Sequence, residues 1–274
     1  MNGKLYVVGT PIGNLSDFSP RGIKTLSEVD FIAAEDTRVT AKILNHFEIK
    51  KPLVSYYEHN RRERGEIIVE RILKGENCAV VTDAGMPCIS DPGQDLVYLC
   101  RERGIEVESV PGPTAFATAL AVSGMECGRF TFEGFLSVNK PSRKEHLEEL
   151  KTETRTMVFY EAPHKLKATL KDMLSYFGDR EICIVKELTK IHETVMRTSL
   201  SAAIEYFETE NPKGEYVLIV KGADKAEKEQ PVTLEQAVLT ASELVKKGIS
   251  VNEAAKTVAN ETGIKKSLIY KQLL

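Results

Sequence analysis

The feature that most constrains the fold is an alternation of short apolar runs with helical segments through the first 115 residues. Short, continuous apolar runs are typical of strands buried on both faces, as in parallel sheets. The segments between them carry apolar residues at helical spacing, such as Ile68 and Ile72. Five runs have the strand character: residues 5–8, 31–34, 53–57, 78–82 and 107–110. The pattern predicts a mostly parallel, doubly wound α/β sheet.

A polar or Gly/Pro-rich cluster follows each of the five runs. Because the carboxyl ends of parallel strands meet at one edge of a sheet, we expect these clusters to line a common cleft for a small molecule. For the first cluster alone, an ordinary Gly-rich turn after a buried strand is an equally good interpretation. The clusters are residues 9–13, 35–38, 58–62, 83–87 and 111–115.

The second half of the chain has more strand-to-strand succession, which favours a mixed sheet. We expect the helix at 114–123 to close the first half and residues 140–144 to form an exposed basic loop, followed by a charged helix to about residue 151. Further helices are predicted from about residue 163 and at 199–208. The predicted strands of this half are residues 129–136, 156–160, 181–185, 192–198 and 214–220.

A charged linker at 223–232 leads into a helical C-terminal segment, so we predict domains at 1–115, 116–224 and 225–274. The last segment has two capping boxes, at Thr233 to Gln236 and Ser250 to Glu253, and glycine stops at 248 and 263. The spacing of Ala259, Gly263 and Ile269 is typical of a helix-turn-helix. A basic last helix (Lys265, Lys266, Lys271) leaves two interpretations open, nucleic-acid contact or packing alone.

Composition and motif searches exclude several classes of protein. The net charge of -3 gives no overall basic footprint, and the chain contains no apolar run of about 18 residues that would span a membrane. The N-terminus lacks the layout of a secretory signal. The five cysteines are scattered without a CxxC pair, which favours reduced thiols in a cytoplasm and no metal site. Rossmann, P-loop, GxSxG and HExxH motifs are absent, which argues against redox, kinase, serine-hydrolase and zinc chemistry.

Eight stretches, in order along the chain, resemble the tetrapyrrole methylase superfamily. Each stretch is a weak signal alone, whereas the ordered set across residues 5 to 220 is strong. Within the superfamily, the chain is similar to the bacterial enzymes that methylate the 2′-hydroxyl of a cytidine in small-subunit (16S) ribosomal RNA. The stretches are 9–15 (GTPIGNL), 34–38 (AEDTR), 58–60 (EHN), 82–93 (TDAGMPCISDPG), 111–115 (PGPTA), 132–136 (FEGFL), 160–164 (YEAPH) and 186–190 (KELTK).

The resemblance implies a class III methyltransferase-like fold, in which two α/β domains hold S-adenosylmethionine in the cleft between them. A carboxylate after the fourth strand suits the cationic sulfonium and ammonium groups of this cofactor. Met86 departs from the family pattern, which has threonine or a small residue there. The implied cofactor-binding residues are Pro11, Asp83, Met86, Thr114 and Ala115 from the first domain and Tyr160, Gly214 and Glu215 from the second.

The implied reaction is an in-line displacement at a methyl carbon by a ribose hydroxyl, which needs a base or an orienting group. Glu35 and Glu187 are candidates to accept the proton, and Lys186 is one if its pKa is strongly lowered. Arg38 is a candidate to hold a phosphate or ribose. For each of these four residues, a structural salt bridge is the alternative.

The resemblance also implies a partner, ribosomal RNA in the small subunit, and a homodimeric enzyme with no membrane association. Two alternatives stay open: a methylase of a tetrapyrrole or other small molecule, and a non-catalytic RNA-binding protein. The candidate RNA contacts are Asn14, Thr37, His59, Asn60, Arg61, Arg62, Lys140, Arg143 and Lys144.

Overall fold

The computed structural model describes residues 2–91, 93–224, 234–246 and 248–273. Contacts divide the chain into two compact units, residues 1–222 and 223–274. From residue 225 on, the predicted linker lies outside the described residues, and so does Thr233 of the first capping box. No helix in the described ranges is long and apolar enough to cross a membrane.

The first sheet is parallel throughout and has the strand order β3-β2-β4-β1-β5. Its helices pack on both faces: α3 and α4 on one, where Ile68, Ile72 and Leu96 are buried, and α1 and α2 on the other. The predicted doubly wound sheet is therefore confirmed. The elements are β1 (Leu5–Val8), α1 (Pro20–Glu28), β2 (Phe31–Ala34), α2 (Thr37–His46), β3 (Leu53–Ser55), α3 (Arg61–Leu73), β4 (Cys78–Val81), α4 (Gly93–Glu102) and β5 (Val107–Val110).

The second sheet has the order β6-β7-β10-β8-β9 and is mixed, as predicted. Strands β6 and β7 are parallel, and the other three pairings are antiparallel. The predicted ends of its strands agree with the structure to within two residues. The elements are α5 (Ala115–Ser123), β6 (Phe130–Phe135), α6 (Lys140–Glu149), β7 (Thr156–Glu161), α7 (Pro163–Phe177), β8 (Glu181–Lys186), β9 (Thr194–Ser199), α8 (Leu200–Thr209) and β10 (Tyr216–Val220).

Two expectations for this half are wrong. Helix α5 does not close the first sheet, because its buried residues Ala119 and Leu120 pack on the second sheet with Val158. Residues 140–144 are not a loop but the first turn of α6. The Asn139 side chain accepts a hydrogen bond from the Ser142 amide (3.2 Å) and so caps this helix, and Pro141 lies in its first turn, where proline is tolerated.

The C-terminal unit is a three-helix packing of α9 (Leu234–Lys246), α10 (Val251–Thr262) and α11 (Lys266–Leu273). Its core is small, and Ile269 of α11 is fully buried among alanines. The Ser250 hydroxyl caps α10 by accepting from the Glu253 amide (3.3 Å). Gly263 ends α10 in the left-handed conformation (φ 71°), as its place in the sequence predicts.

Candidate functional site

The carboxyl ends of the first sheet and the facing edge of the second enclose a cavity of about 670 Å³, which we call the main cavity. The first sheet contributes Glu35, which follows β2, and Thr82 to Met86, which follow β4. The loops at Ile12 and at Thr114 to Ala115 complete this side. The second sheet contributes Phe135, residues 160–164, Val185, Leu188 and residues 215–217. The predicted convergence on one cleft is therefore confirmed for the clusters after β1, β2, β4 and β5, whereas residues 58–62 do not line this cavity.

The opening loop forms one wall of the main cavity through its backbone. Thr10 and Gly85 exchange two amide hydrogen bonds (2.9 and 3.1 Å), and the Thr10 hydroxyl donates to the Thr82 carbonyl (3.2 Å). A Cβ atom on Gly9 would lie 2.7 Å from the Cα of Gly112, so these two loops touch backbone to backbone. The loop thus packs as a rigid element, and Ile12 is its contribution to the lining.

Met86 is accommodated by the same close packing. A Cβ atom on Gly9 would lie 2.7 Å from the Met86 sulfur, so the thioether occupies the space that the glycine leaves open. Met86 lines the cavity, whereas Pro11 is buried beside Ile12 and does not. The departure from the family pattern at residue 86 therefore causes no clash.

Glu35 and Asp83 join two neighbouring strand ends into one acidic unit. The Thr82 hydroxyl donates to Glu35 Oε2 (2.6 Å), and the Asp36 amide donates to Asp83 Oδ1 (3.0 Å). Burial raises the pKa of the Asp83 carboxyl above its usual range, and burial does the same for Asp91. Among the described residues, no lysine or arginine forms an ion pair with either of these two carboxylates.

No lysine or arginine lines the main cavity within the described part of the chain. Its wall contains five acidic residues and one histidine, His164; the acidic residues are Glu35, Asp83, Asp91, Glu161 and Glu215. Apolar and aromatic groups, such as Phe135 and Tyr160, form the remainder. A site of this composition favours a cationic ligand with an apolar or aromatic part and disfavours phosphate.

Two residues at the end of β7 tie the far wall of the cavity in place. The Tyr160 hydroxyl accepts a hydrogen bond from the Phe116 amide at the start of α5 (3.1 Å). Glu161 is buried, and its carboxylate accepts from the Ala162 amide (2.8 Å) and from the Thr169 hydroxyl. Asp91, Glu161 and His164 line the cavity but were not predicted as site residues, although each lies in a stretch that carried the family resemblance.

Glu187 and Lys186 lie outside the residues that line the cavity. Glu187 Oε1 accepts from the Glu215 amide (3.0 Å) and from Lys190 Nζ (2.9 Å), which also reaches Glu215 Oε2 (2.7 Å). Gly214 is required beside this ion pair, because its φ is 84° and a Cβ there would lie 2.4 Å from Glu187 Oε1. The alternative of a structural salt bridge describes Glu187 in this structure.

Arg38 is also outside the cavity. Its guanidinium is 87% exposed and bonds both carboxylate oxygens of Asp36 (3.1 and 2.6 Å). This hydrogen bonding lowers the pKa of Asp36 to about 2. Arg38 is therefore held at the surface near Glu35, with its charge directed to solvent and to Asp36.

The predicted RNA contacts fall into two groups. Asn14, His59, Arg62, Lys140 and Lys144 are exposed, and Thr37 is half-buried in the first turn of α2. The others make internal bonds. Asn60 bonds the Tyr57 amide and the Ser55 carbonyl, Arg61 pairs with Glu58 and Asp95, and Arg143 pairs with Asp172 (2.7 Å) and Thr169 (2.9 Å).

A second cavity of about 570 Å³, the side cavity, adjoins the main one. The two share the wall formed by Glu35, Ile89, Ser90 and Asp91. Its own lining residues are Tyr57, Glu58 and His59, which follow β3, and Gln94 in the first turn of α4. The strand-end cluster after β3 therefore belongs to this side cavity and not to the main one.

Comparison with known proteins places the fold in a known class. Residues 4–204 match the family model described as Tetrapyrrole (Corrin/Porphyrin) Methylases. Among solved structures, diphthine synthase is similar with a TM-score of 0.62 and 13% identity, over 80% of this chain and 90% of that chain. Uroporphyrin-III-C-methyltransferase from Thermus thermophilus is similar with a TM-score of 0.58 and 19% identity, over 80% and 94%. At these identities the likeness shows the fold alone.

Curated relatives match over nearly the whole chain. The Synechocystis sp. protein named "Ribosomal RNA small subunit methyltransferase I" is 45% identical, over 98% of this chain and 96% of that protein. The protein of the same name from Thermotoga maritima is 49% identical over 222 residues, which cover 81% of this chain and 100% of that protein. The protein from Halalkalibacterium halodurans is 44% identical, over 98% and 93%.

Proposed function

This methyltransferase belongs to the tetrapyrrole (corrin/porphyrin) methylase family, and we propose that it uses S-adenosylmethionine to methylate the ribose 2′-hydroxyl of a cytidine in 16S ribosomal RNA. The observation that carries the proposal is the 45% identity, over 98% of the chain, to a relative named as a methyltransferase of small-subunit ribosomal RNA. The chemistry of the two adjoining cavities supports it.

The residues of the main cavity fit S-adenosylmethionine. The bound cofactor supplies an electrophilic methyl group on a positively charged sulfur. Since none of the described lining residues is a lysine or arginine, Asp83 and Glu35 are available to balance that charge. We assign Asp83, Met86, Thr114, Ala115, Tyr160 and Glu215 to cofactor binding, because all six line the cavity. Pro11 and Gly214 would act through their neighbours, since each lies next to a lining residue, Ile12 or Glu215.

Glu35 is our candidate for the base. It is the lining carboxylate that borders both cavities from the end of β2, and Thr82 holds its Oε2 atom, which orients the carboxylate. Glu35 would receive the proton of the 2′-hydroxyl as that oxygen takes the methyl group, and loss of the methyl group would leave the sulfonium sulfur as a neutral thioether. The contribution of the remaining groups is alignment of the reacting atoms. Lys186 and Glu187 have no part in this step.

The exposed cations would bind RNA phosphates outside the cavities. Arg62, Lys140 and Lys144 are exposed and Arg38 is held at the surface, so they can approach a backbone without dehydrating a buried charge. Arg143 does not fit this role, because its guanidinium is engaged by Asp172 and Thr169. Binding through phosphates predicts a steep loss of activity with increasing salt.

The deciding experiment is to incubate the protein with labelled S-adenosylmethionine and undermodified small ribosomal subunits, and then to map the label. We expect label on the 2′-oxygen of a cytidine. Label transferred to a tetrapyrrole instead would overturn the proposal. A protein that binds RNA but no cofactor would be the non-catalytic alternative.

We also propose that the enzyme is a cytoplasmic homodimer. The five cysteines are free, which is consistent with a reducing compartment, and the dimer rests on the family resemblance. Light scattering coupled to size-exclusion chromatography would give the mass, and a value of one chain at micromolar concentration would contradict the dimer.

A further inference from the structure

The side cavity lies where a substrate would have to bind, next to the main cavity and to Glu35. It shares the wall of Glu35, Ile89, Ser90 and Asp91 with the main cavity, so a group inside it lies next to the proposed base. Its other residues belong to elements of the first sheet, the segment after β3 and the start of α4. A ligand in the main cavity and a second one in the side cavity would therefore meet at Glu35.

The lining of the side cavity matches a planar group that donates hydrogen bonds. The rings of Tyr57 and His59 lie 6.2 Å apart and edge to face, and the Tyr57 and Ile89 side chains are 41% and 47% exposed. An aromatic ring and an aliphatic side chain left open to solvent are suitable surfaces for stacking a base. The polar groups are Glu35, Glu58, Asp91 and Gln94 together with the Ser90 hydroxyl.

The same lining disfavours a phosphate. No lysine or arginine lines the side cavity within the described residues. Arg61, three residues after Glu58, is held by Glu58 Oε1 (3.1 Å) and Asp95 Oδ2 (2.9 Å). This ion pair limits the movement of the Glu58 side chain.

We propose that the side cavity binds the cytosine base of the target nucleotide, with Tyr57 as the stacking surface and Glu58 as the acceptor of its exocyclic amine. This inference rests on the proposed function. An ionised carboxylate only accepts hydrogen bonds, so it pairs with the amine of cytosine and repels the carbonyl oxygen at the same position of uracil. A glutamine amide can turn and satisfy either base, which makes Gln94 unsuited to discriminate alone.

The proposal also accounts for how the ribose reaches Glu35. A target nucleotide is commonly extruded so that its base enters a pocket of the enzyme. A base stacked on Tyr57 carries its own ribose, which would lie beside the shared wall that contains Glu35. Asp91 is fixed in that wall, because its Oδ1 atom accepts from the amides of Cys88 (3.0 Å) and Gly93 (2.9 Å).

The test uses the full chain and two variants of the side cavity, Glu58→Gln and Tyr57→Ala. Methylation rates are measured on undermodified small subunits that carry either cytidine or uridine at the labelled position. Glu58→Gln is expected to narrow the preference for cytidine by about tenfold or more. Tyr57→Ala is expected to raise KM for subunits about tenfold, and Tyr57→Phe to restore it. Binding of S-adenosylmethionine, measured by calorimetry, should not change.

Matched controls are Glu63→Gln and Tyr98→Ala, which alter an exposed glutamate of α3 and a 55% exposed tyrosine of α4 outside both cavities. If the side-cavity variants behave like these controls while the unaltered protein methylates cytidine, the inference is wrong and the proposed function stands. If the unaltered protein methylates neither substrate, the proposed function fails and the inference fails with it.

Discussion

Two pairs of acidic residues lie at strand ends, Asp36 with Asp83 and Glu187 with Glu215. In each pair the backbone amide of one residue donates to the carboxylate of the other, but the surroundings differ. After β2 and β4, Asp83 accepts from the amide of Asp36 in the neighbouring loop (3.0 Å). Glu187, which follows β8, accepts from the amide of Glu215, which precedes β10, at the same distance. The difference is the cation. Lys190 bonds both glutamates of the second pair, whereas Arg38 bonds Asp36 alone, and no lysine or arginine from the described residues lines the cavity around Glu35 and Asp83.

Whether a lysine neutralises the carboxylate distinguishes Glu187 from Asp83. Glu187, which is paired with Lys190, fastens two loops, and its lowered pKa makes it a poor proton acceptor. An acid that is desolvated without a cation is poised to bind a cation or to accept a proton, at a cost in stability. We therefore assign chemistry to Glu35 and Asp83, which follow β2 and β4, and a structural role to the ion pair of Glu187 with Lys190.

The largest effect is expected for Glu35→Gln, which removes the base that we assign. Since the glutamine amide cannot accept the proton of a hydroxyl, we expect kcat to fall by about a hundredfold or more. Thr82 can still donate to the amide oxygen, so the fold should be preserved. The measurement is single-turnover methylation of small subunits.

Glu28→Gln is the control for this substitution, because Glu28 is a 64% exposed glutamate at the end of α1 that pairs with Lys24. Its activity should equal that of the unaltered protein. If Glu35→Gln kept full activity, the assignment of Glu35 as the base would be wrong.

The second test is Asp83→Asn, which removes a charge from the main cavity and keeps its shape. We expect the Kd for S-adenosylmethionine to rise about tenfold to a hundredfold, as for the loss of a hydrogen bond to a charged group. Calorimetry gives this value directly. Glu187→Gln, measured in the same way, should bind the cofactor normally, and an equal loss in both variants would erase the distinction between the two pairs.

The third test is the pH dependence of cofactor binding. Burial, the largest cause, raises the pKa of Asp83 above its ordinary value of 3.8. The carboxylate that attracts a cation is present above the raised pKa and is lost as pH falls through it. Affinity should therefore decline on acidification at a higher pH than an ordinary aspartate would cause, and Asp83→Asn should flatten this part of the profile.

The fourth test is Gly214→Ala in the paired region. An alanine there would adopt an unfavourable φ of 84° and place its Cβ 2.4 Å from Glu187 Oε1, so the carboxylate must leave the Glu215 amide. We expect a loss of about 1–2 kcal/mol in the free energy of unfolding. Urea denaturation measures it, and a stability equal to that of the unaltered protein would show that this contact is dispensable.

The smallest effect is expected for Glu187→Gln, measured as stability. The amide oxygen still accepts from Glu215, and Lys190 keeps its bond to the Glu215 carboxylate, so only one partly exposed ion pair is lost. The expected loss is about 0.5–1 kcal/mol. A loss several times larger would mean that the pair contributes more than a loop fastening.

The helices and strands could be predicted because buried segments are recognisable from consecutive or periodic apolar residues in the sequence. The runs at 5–8, 31–34 and 78–81 have the apolar character of strands covered on both faces, and the structure has strands there. The start of the helix at Lys140 was also predictable, because Asn139 is a common capping residue and Pro141 suits a first turn. The basic residues at 140–144 suggested an exposed loop instead.

The site was harder to predict because partners far apart in sequence decide each role. Glu35 and Glu187 follow strands in the same way, and only the position of Lys190 against Glu215, 25 residues away, separates them. Arg143 looks like a free basic residue until α7 brings Asp172, 29 residues on, within hydrogen-bond distance. The side cavity could not be predicted either, since it forms where the ends of β2 and β3 meet the loop after β4.

The strand order also has a consequence in time. Strand β1 pairs only with β4 and β5 in its sheet, and Lys4, at its start, bonds Asn77, which is 73 residues further along. At ordinary rates of translation that interval lasts about 4–15 s. The first strand to be synthesised therefore waits without a partner while two later strands are made, and four consecutive apolar residues stay available to chaperones or to other nascent chains. Slower translation of this interval lengthens the time for which β1 has no partner strand.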